Sequence, residues 1–255
     1  MTVELIPGAE PWSHAADAAG AAGVLVIHGF TGNPSSMRGM AEAFAAAGFH
    51  VEMPRLPGHG TTIDDMLTTS WADWIGEAEA AYVRLAERSS KVVVAGLSMG
   101  GALTLHLGAA HPEVAALVCV NPATQPQPPE VIAMLQGMID GGTTVMPGIG
   151  SDIADPDVHE SAYEGAPLPQ LLSLVNDGLE PLAALLPAIG MPLLLINSLN
   201  DHVVDPAQAE FLAVTYGGPV ERVTLERSFH VATQDYEKDI VFERSVEFAH
   251  RVTQA

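Results

Sequence analysis

The sequence predicts an open, mostly parallel α/β sheet flanked by helices and interrupted by one small insertion, on the strength of three observations. Short apolar runs bounded by Gly, Pro and Asn recur at 23–27, 49–53, 92–96, 116–120, 192–197 and 221–225. The runs are continuous rather than alternating, as strands covered by helices on both faces are. Longer stretches of helical periodicity lie between them, and repeated strand, helix, strand order places a ligand at the carboxyl ends of the strands.

The elements follow in order. The Ala-rich segment 15–22 reads as loop, and the strand Val24-Leu25-Val26-Ile27 runs into the tight loop His28-Gly29-Phe30-Thr31-Gly32. Ser70-Trp71-Ala72-Asp73 is a capping-box start, after which Trp74, Ala78, Ala81, Tyr82 and Leu85 fall on one helical face. The strand Val92-Val93-Val94-Ala95 leads through Gly96-Leu97-Ser98-Met99-Gly100 directly into the helical pattern 101–107. From about Asn121 to Pro187 no convincing strand appears, and Pro and Gly punctuate short apolar pieces such as 131–135 and 171–174. A structureless loop of this length does not belong in a compact domain, so a small helical insertion is expected. The division is 1–121 and 188–255 as core, with 122–187 as a cap. After the strand 193–197, Asp205-Pro206-Ala207-Gln208 starts another helix, with Asp205 as N-cap and Pro206 at the first helical position. A strand at 222–225 and a helical pattern over 241–249 close the chain.

Composition narrows the ligand class. The 255 residues carry 10 Lys+Arg against 31 Asp+Glu, a formal charge of −21 with His neutral. Clustered cations are what bind phosphate backbones and anionic lipid surfaces, so both are disfavoured as partners and a neutral small molecule is expected. Cys119, the single cysteine, excludes an intrachain disulfide and leaves no zinc spacing, and it reads as a small buried hydrophobe. Met1 to Pro7 lack a basic stretch followed by a long apolar one, and no apolar run nears the ~18 residues of a membrane span, so the expected setting is cytoplasmic.

The chemistry sits at strand ends. Gly96-Leu97-Ser98-Met99-Gly100 fits GxSxG, and its context of strand, sharp turn and helix is that of a nucleophile elbow. A serine hydroxyl needs a positioned base, itself oriented by a third group, and on this fold the order is Ser, acid, His. Of the late histidines, His202 adjoins the acid candidates and His250 sits in the terminal helix, whereas His230 follows the strand 222–225 in a short loop. His230 is therefore the candidate base. Past the strand 193–197 stand Asp201 and Asp205. Asp205 is occupied as a helix cap, which leaves Asp201 to fix the imidazole tautomer and stabilise the imidazolium. Acyl transfer also needs donors aimed at the developing oxyanion, and the backbone N–H groups of Met99 and Phe30 are the candidates. His28 and His59 read as loop-ordering residues.

Taken together, the segments 28–32, 54–61, 96–101, 201–204 and 229–233, with Gly8-Ala9-Glu10-Pro11, resemble the α/β-hydrolase superfamily, and within it the bacterial carboxylesterase and monoacylglycerol lipase group. The resemblance runs nearly end to end and puts the triad on Ser98, Asp201 and His230 and the oxyanion donors on Phe30 and Met99, as the residues themselves do. It implies a small cap over an apolar acyl channel with a polar end for the alcohol. The segments 148–152 and 156–160 look like the corresponding cap segment, with Ile149 against the glyceryl carbons and Glu160 either accepting from glycerol hydroxyls or serving as one more solvated acid. The implied activity is cleavage of monoacylglycerols to glycerol and fatty acid through an acyl-enzyme, without cofactor or metal. A broad carboxylesterase for short- to medium-chain acyl esters is the alternative, and a binding protein could also keep the fold. Met134, Met138 and Met146 with Leu171, Leu172 and Leu174 could form an acyl-binding surface in transient contact with lipid assemblies, or simply pack. Monomer and homodimer both stay open.

Overall fold

Inside the apolar runs, side chains alternate between two faces. Leu25, Ile27, Val94, Leu117, Cys119, Leu193 and Leu195 join one buried cluster, while Val24, Val26, Val93, Ala95, Val118, Leu194 and Ile196 join another. Period-two alternation with both faces apolar is what a sheet between two helical layers requires. The computed structural model describes residues 4–254. Met1 to Val3, the start of the stretch searched for a leader, lie outside the described residues.

In chain order the elements are β1 (Trp12–His14), β2 (Gly23–Ile27), α1 (Arg38–Ala46), β3 (His50–Met53), α2 (Ile63–Met66), α3 (Trp71–Ala86), β4 (Val92–Leu97), α4 (Met99–Ala110), β5 (Ala116–Val120), α5 (Pro129–Asp140), β6 (Val145–Pro147), β7 (Gly165–Pro167), α6 (Leu168–Ser173), α7 (Glu180–Leu185), β8 (Leu193–Ser198), α8 (Ala207–Thr215), β9 (Val220–Leu225) and α9 (Lys238–Gln254). Seven strands pair in the order β1-β3-β2-β4-β5-β8-β9, parallel except for the β1 edge. The chain leaves β2 toward β3 on one side and then builds every later strand of this sheet from β4 onward on the other. The carboxyl ends of β2 and β4 therefore flank a topological switch point, the crevice where open α/β sheets bind ligands. α1 and α9 cover one face, and α3, α4 and α8 cover the other.

Ser70 starts α3 as expected: its N–H and Oγ both donate to Asp73 Oδ2 at 2.9 Å. The five residues on the expected face of α3 are buried. Three expectations need correction. β1 escapes sequence reading because it is three residues long and half exposed, held by its register against β3. The insertion is not wholly helical: β6 and β7 form an antiparallel ribbon, each strand ending in a proline and too short to show alternation. At the start of α8, Asp205 Oδ1 accepts from the Ala207 N–H at 2.9 Å, but the helix begins at Ala207. Gln208 does not close a capping box, and its Oε1 instead accepts from the N–H groups of Thr124 and Gln125 at 2.7 and 3.1 Å.

The insertion has two parts that pack differently. Leu174, Leu179 and Leu182, in α7 and the π-helical turn before it, are buried in the cluster that also holds α3 and α4, and Leu168 of α6 is buried too. By contrast Met134 on α5 is 57% exposed.

Candidate active site

Ser98 stands between the last strand residue of β4 and the first residue of α4 with φ 57° and ψ −118°. Only tight surroundings hold a serine there, because the left-handed region is strained for a residue with a Cβ. The surroundings are tight for a visible reason. A Cβ on Gly96 would sit 2.1 Å from Gly100 O, and one on Gly100 would sit 2.2 Å from Ile27 O. These glycines let α4 close against β2 and β4. The Ser98 N–H donates to Val120 O at 3.0 Å, and its carbonyl accepts from Gly101 and Ala123. The hydroxyl is thus carried on a turn bonded to the neighbouring strand.

Asp201 and His230 meet where β8 and β9 end. His230 Nδ1 donates to Asp201 Oδ2 at 2.7 Å, with the two side chains 8% and 2% exposed. Asp201 Oδ1 accepts from the N–H groups of Val203 and Val204, both at 2.8 Å, so both oxygens of this carboxylate are engaged. Asp205 lies exposed before α8, its Oδ1 accepting from the Ala207 N–H. Ser98 and His230 line one cavity of about 320 Å³, together with Gly29 and Phe30 from the loop after β2. A Cβ on Gly29 would lie 3.2 Å from Ser98 Cβ, so that loop abuts the serine. Met99 opens α4, where the first N–H groups have no partner within the helix.

Two further histidines of this end, His28 and His59, are neutral. His28 Nδ1 donates to Gly29 O at 3.0 Å and its Nε2 accepts from the Leu56 N–H at 3.1 Å, while burial holds its pKa down to about 3. His59 donates to Pro57 O at 3.0 Å, and burial lowers it to about 4. Both order loops, and neither titrates where a base at neutral pH must.

The insertion supplies the rest of the cavity wall: Met146 and Pro147 from β6, Ala166 from β7, Leu171 from α6, and Ile149 and Glu160 between the strands. Of the six residues considered for an acyl surface, Met146 and Leu171 face the cavity, Leu174 is buried in the core, and Met134 points outward. Ile149 lines the cavity yet is 63% exposed. Glu160 is half-buried in the cavity wall, and desolvation there lifts its carboxyl to about 7, against the opposing pull of nearby His230. Its Oε1 lies 2.9 Å from where a Cβ on Gly32 would be, so the missing side chain at position 32 leaves room for it.

Sequence reasoning missed the residues that hold the base loop. Asn121, at the end of β5 with φ 43°, donates through Nδ2 to His230 O at 2.7 Å and to Ser198 Oγ at 3.0 Å, while its Oδ1 accepts from the Ser198 N–H at 2.7 Å. Asp235, 1% exposed, accepts from the N–H groups of Phe229, Ala154 and Asp155. A signal for Asn121 exists, since it is a polar residue ending an apolar parallel strand. Among the described residues, Thr31, Ser98 and Asn121 are the non-glycine residues with positive φ, and all three lie at this end of the sheet.

Residues 19–237 match the family described as serine aminopeptidase, S33. The chain is 42% identical over 247 residues to the thermostable monoacylglycerol lipase of Bacillus sp. (strain H-257), covering 96% of this chain and 95% of that one. It is 25% identical over 231 residues to a carboxylesterase of Bacillus subtilis (strain 168), covering 90% and 92%. Among solved structures, a chain from a study of the metagenome-derived lipolytic enzymes LipS and LipT superposes with a TM-score of 0.91 at 40% identity, covering 97% of this chain and all of that one.

Proposed function

The chain belongs to the serine aminopeptidase S33 family of α/β-hydrolases, and from that premise we propose that it cleaves monoacylglycerols to glycerol and fatty acid. One observation carries the proposal: a half-buried carboxylate from the insertion, Glu160, shares an otherwise largely apolar cavity with Ser98 and His230. An apolar channel suits an acyl chain, and an acceptor on the cavity wall suits the hydroxyls of the alcohol. The relative at 42% identity, itself a monoacylglycerol lipase, supports the same reading.

In this mechanism Ser98 Oγ attacks the ester carbonyl while His230 Nε2 takes its proton, and Asp201 holds the resulting imidazolium through Nδ1–H. The N–H groups of Phe30 and Met99 stabilise the oxyanion. Collapse breaks the bond to glycerol, whose oxygen receives the proton from His230. Water then attacks the acyl-enzyme, gives its proton to His230, and releases the fatty acid as the proton returns to Ser98. Residues 122–187 act as a cap that reads the alcohol, with Ile149 against the glyceryl carbons.

The test is steady-state hydrolysis of 1-monolauroylglycerol beside p-nitrophenyl butyrate, with Ser98→Ala as the control. The expected outcome is preference for the monoacylglycerol and a loss of roughly 10⁶-fold in kcat in the variant. Fast butyrate turnover with little action on monolaurin would move the function to a general carboxylesterase, as the relative at 25% identity is named. Ester turnover independent of Ser98 would sink both.

A further inference from the structure

Asp152 lies in the insertion, lines the cavity, and is 7% exposed. A buried carboxylate is costly unless its lone pairs are filled, so its partners define its role. Oδ2 accepts from the backbone N–H of His202 and from that of His230, both at 3.1 Å. Oδ1 accepts from His202 Nδ1 at 2.8 Å, and the Asp152 carbonyl accepts from the Val231 N–H at 3.1 Å. Every one of these bonds goes to the loop of the acid or the loop of the base.

We propose that Asp152 is a positioning residue for the triad, through which the insertion holds the Asp201 loop and the His230 loop at a fixed separation; this rests on reading Ser98, Asp201 and His230 as the triad. The bonds close a ring. From Asp201 the chain passes to the His202 N–H, across Asp152 Oδ2 to the His230 N–H, and through the imidazole back to Asp201 Oδ2 at 2.7 Å. His230 is therefore held at its backbone and at Nδ1, which leaves Nε2 one direction in which to point. Holding the insertion in place does not by itself require Asp152. Asp235 already staples residues 154 and 155 to the Phe229 N–H, by bonds of 2.7, 3.2 and 2.8 Å. What Asp152 adds is the arm to the acid loop. The consequence is that an unseated insertion misaligns the catalytic groups as well as opening the cavity.

The test measures the second-order rate constant for phosphonylation of Ser98 by a small alkyl fluorophosphonate, which needs an aligned triad but no glycerol end. Wild type must react and Ser98→Ala must not; failure there overturns the triad reading, separately from this one. With that in hand, Asp152→Ala is expected to react about 100-fold more slowly, the scale of a displacement near 1 Å at a catalytic group. Asp152→Asn keeps a carbonyl for the two backbone N–H groups and is expected within about tenfold of wild type. The far-downfield proton resonance of His230 Nδ1–H is expected to persist in the Asn variant and to vanish in the Ala variant. Asp152→Glu keeps the charge but lengthens the arm, and is expected to be slow even where Ala fails to fold. A wild-type rate constant in a folded Ala or Glu variant, or an Asn variant as slow as Ala, would overturn the proposal.

Discussion

The floor and the roof of the cavity are built by different means. The floor is made of strand ends: Ser98, Asp201 and His230 sit on turns whose backbone groups bond to the adjoining strands and loops, and glycines allow approaches that any Cβ would block. The roof is a two-stranded ribbon of three-residue strands with Ile149 largely in solvent. Changes in the floor should therefore be felt by the whole fold or the whole reaction. Changes in the roof should alter which alcohol is read and leave the core intact.

After loss of the serine itself, the largest effect is expected from Asp201→Asn. Oδ1 already takes two N–H groups, so the amide carbonyl would occupy that place and its NH₂ would face His230 Nδ1. The imidazole would then carry its proton on Nε2, where it cannot accept one from Ser98, and kcat should fall about 10⁴-fold with little change in Tm. Normal turnover in this variant would remove Asp201 from the floor. Next is Gly100→Ala, whose Cβ would meet Ile27 O at 2.2 Å and His28 O at 2.6 Å. Backbone on both sides cannot give way cheaply, so a loss of about 3 kcal/mol is expected in urea unfolding.

Glu160 sharpens the comparison from the roof. Its carboxyl is raised by burial to about 7 from an ordinary 4.5, which it keeps in the unfolded chain. A carboxyl whose folded pKa is raised lowers stability once the unfolded chain has lost its proton. The penalty is thus absent below about 4.5, grows with pH, and is complete above about 7. Glu160→Gln should match the wild-type Tm at the acid end and exceed it above that upper limit. It should also raise KM for monolauroylglycerol about tenfold while leaving p-nitrophenyl butyrate alone, because a hydrogen bond to a charged acceptor is lost. The smallest effect is expected for Ile149→Ser. At 63% exposure its stability should stay within about 0.5 kcal/mol of wild type, with only a modest rise in KM for the monoacylglycerol.

The same division governs what could be read from the chain. The sheet strands β2, β4, β5 and β8 were legible because burial on both faces makes continuous apolar runs, the edge strand β9 and β3 because short β-branched pieces stand between turn signals, and the GxSxG turn because its glycines answer to close backbone approach. The separate surroundings of Asp201 and Asp205 were legible in part, since Asp205 bonds locally to the Ala207 N–H just past its proline while Asp201 meets His230. β1, β6 and β7 were not, being held by pairing and seating rather than by their own pattern. Nor were Asn121, Asp152 and Asp235, which act through backbone groups distant in the chain: Asp152 bonds to His230 across 78 positions.

By itself, then, the sequence determined the layered sheet and the placing of Ser98, Asp201 and His230 just past strand ends, because local periodicity and turn chemistry are written in neighbouring residues. Only the tertiary structure decided the strand order and its switch point, that Glu160 is seated against Gly32, that the insertion carries a strand ribbon, and that Asp152 ties it to the loops of Asp201 and His230. Those facts depend on which distant backbone groups fold to within hydrogen-bond reach, and no local pattern encodes that distance.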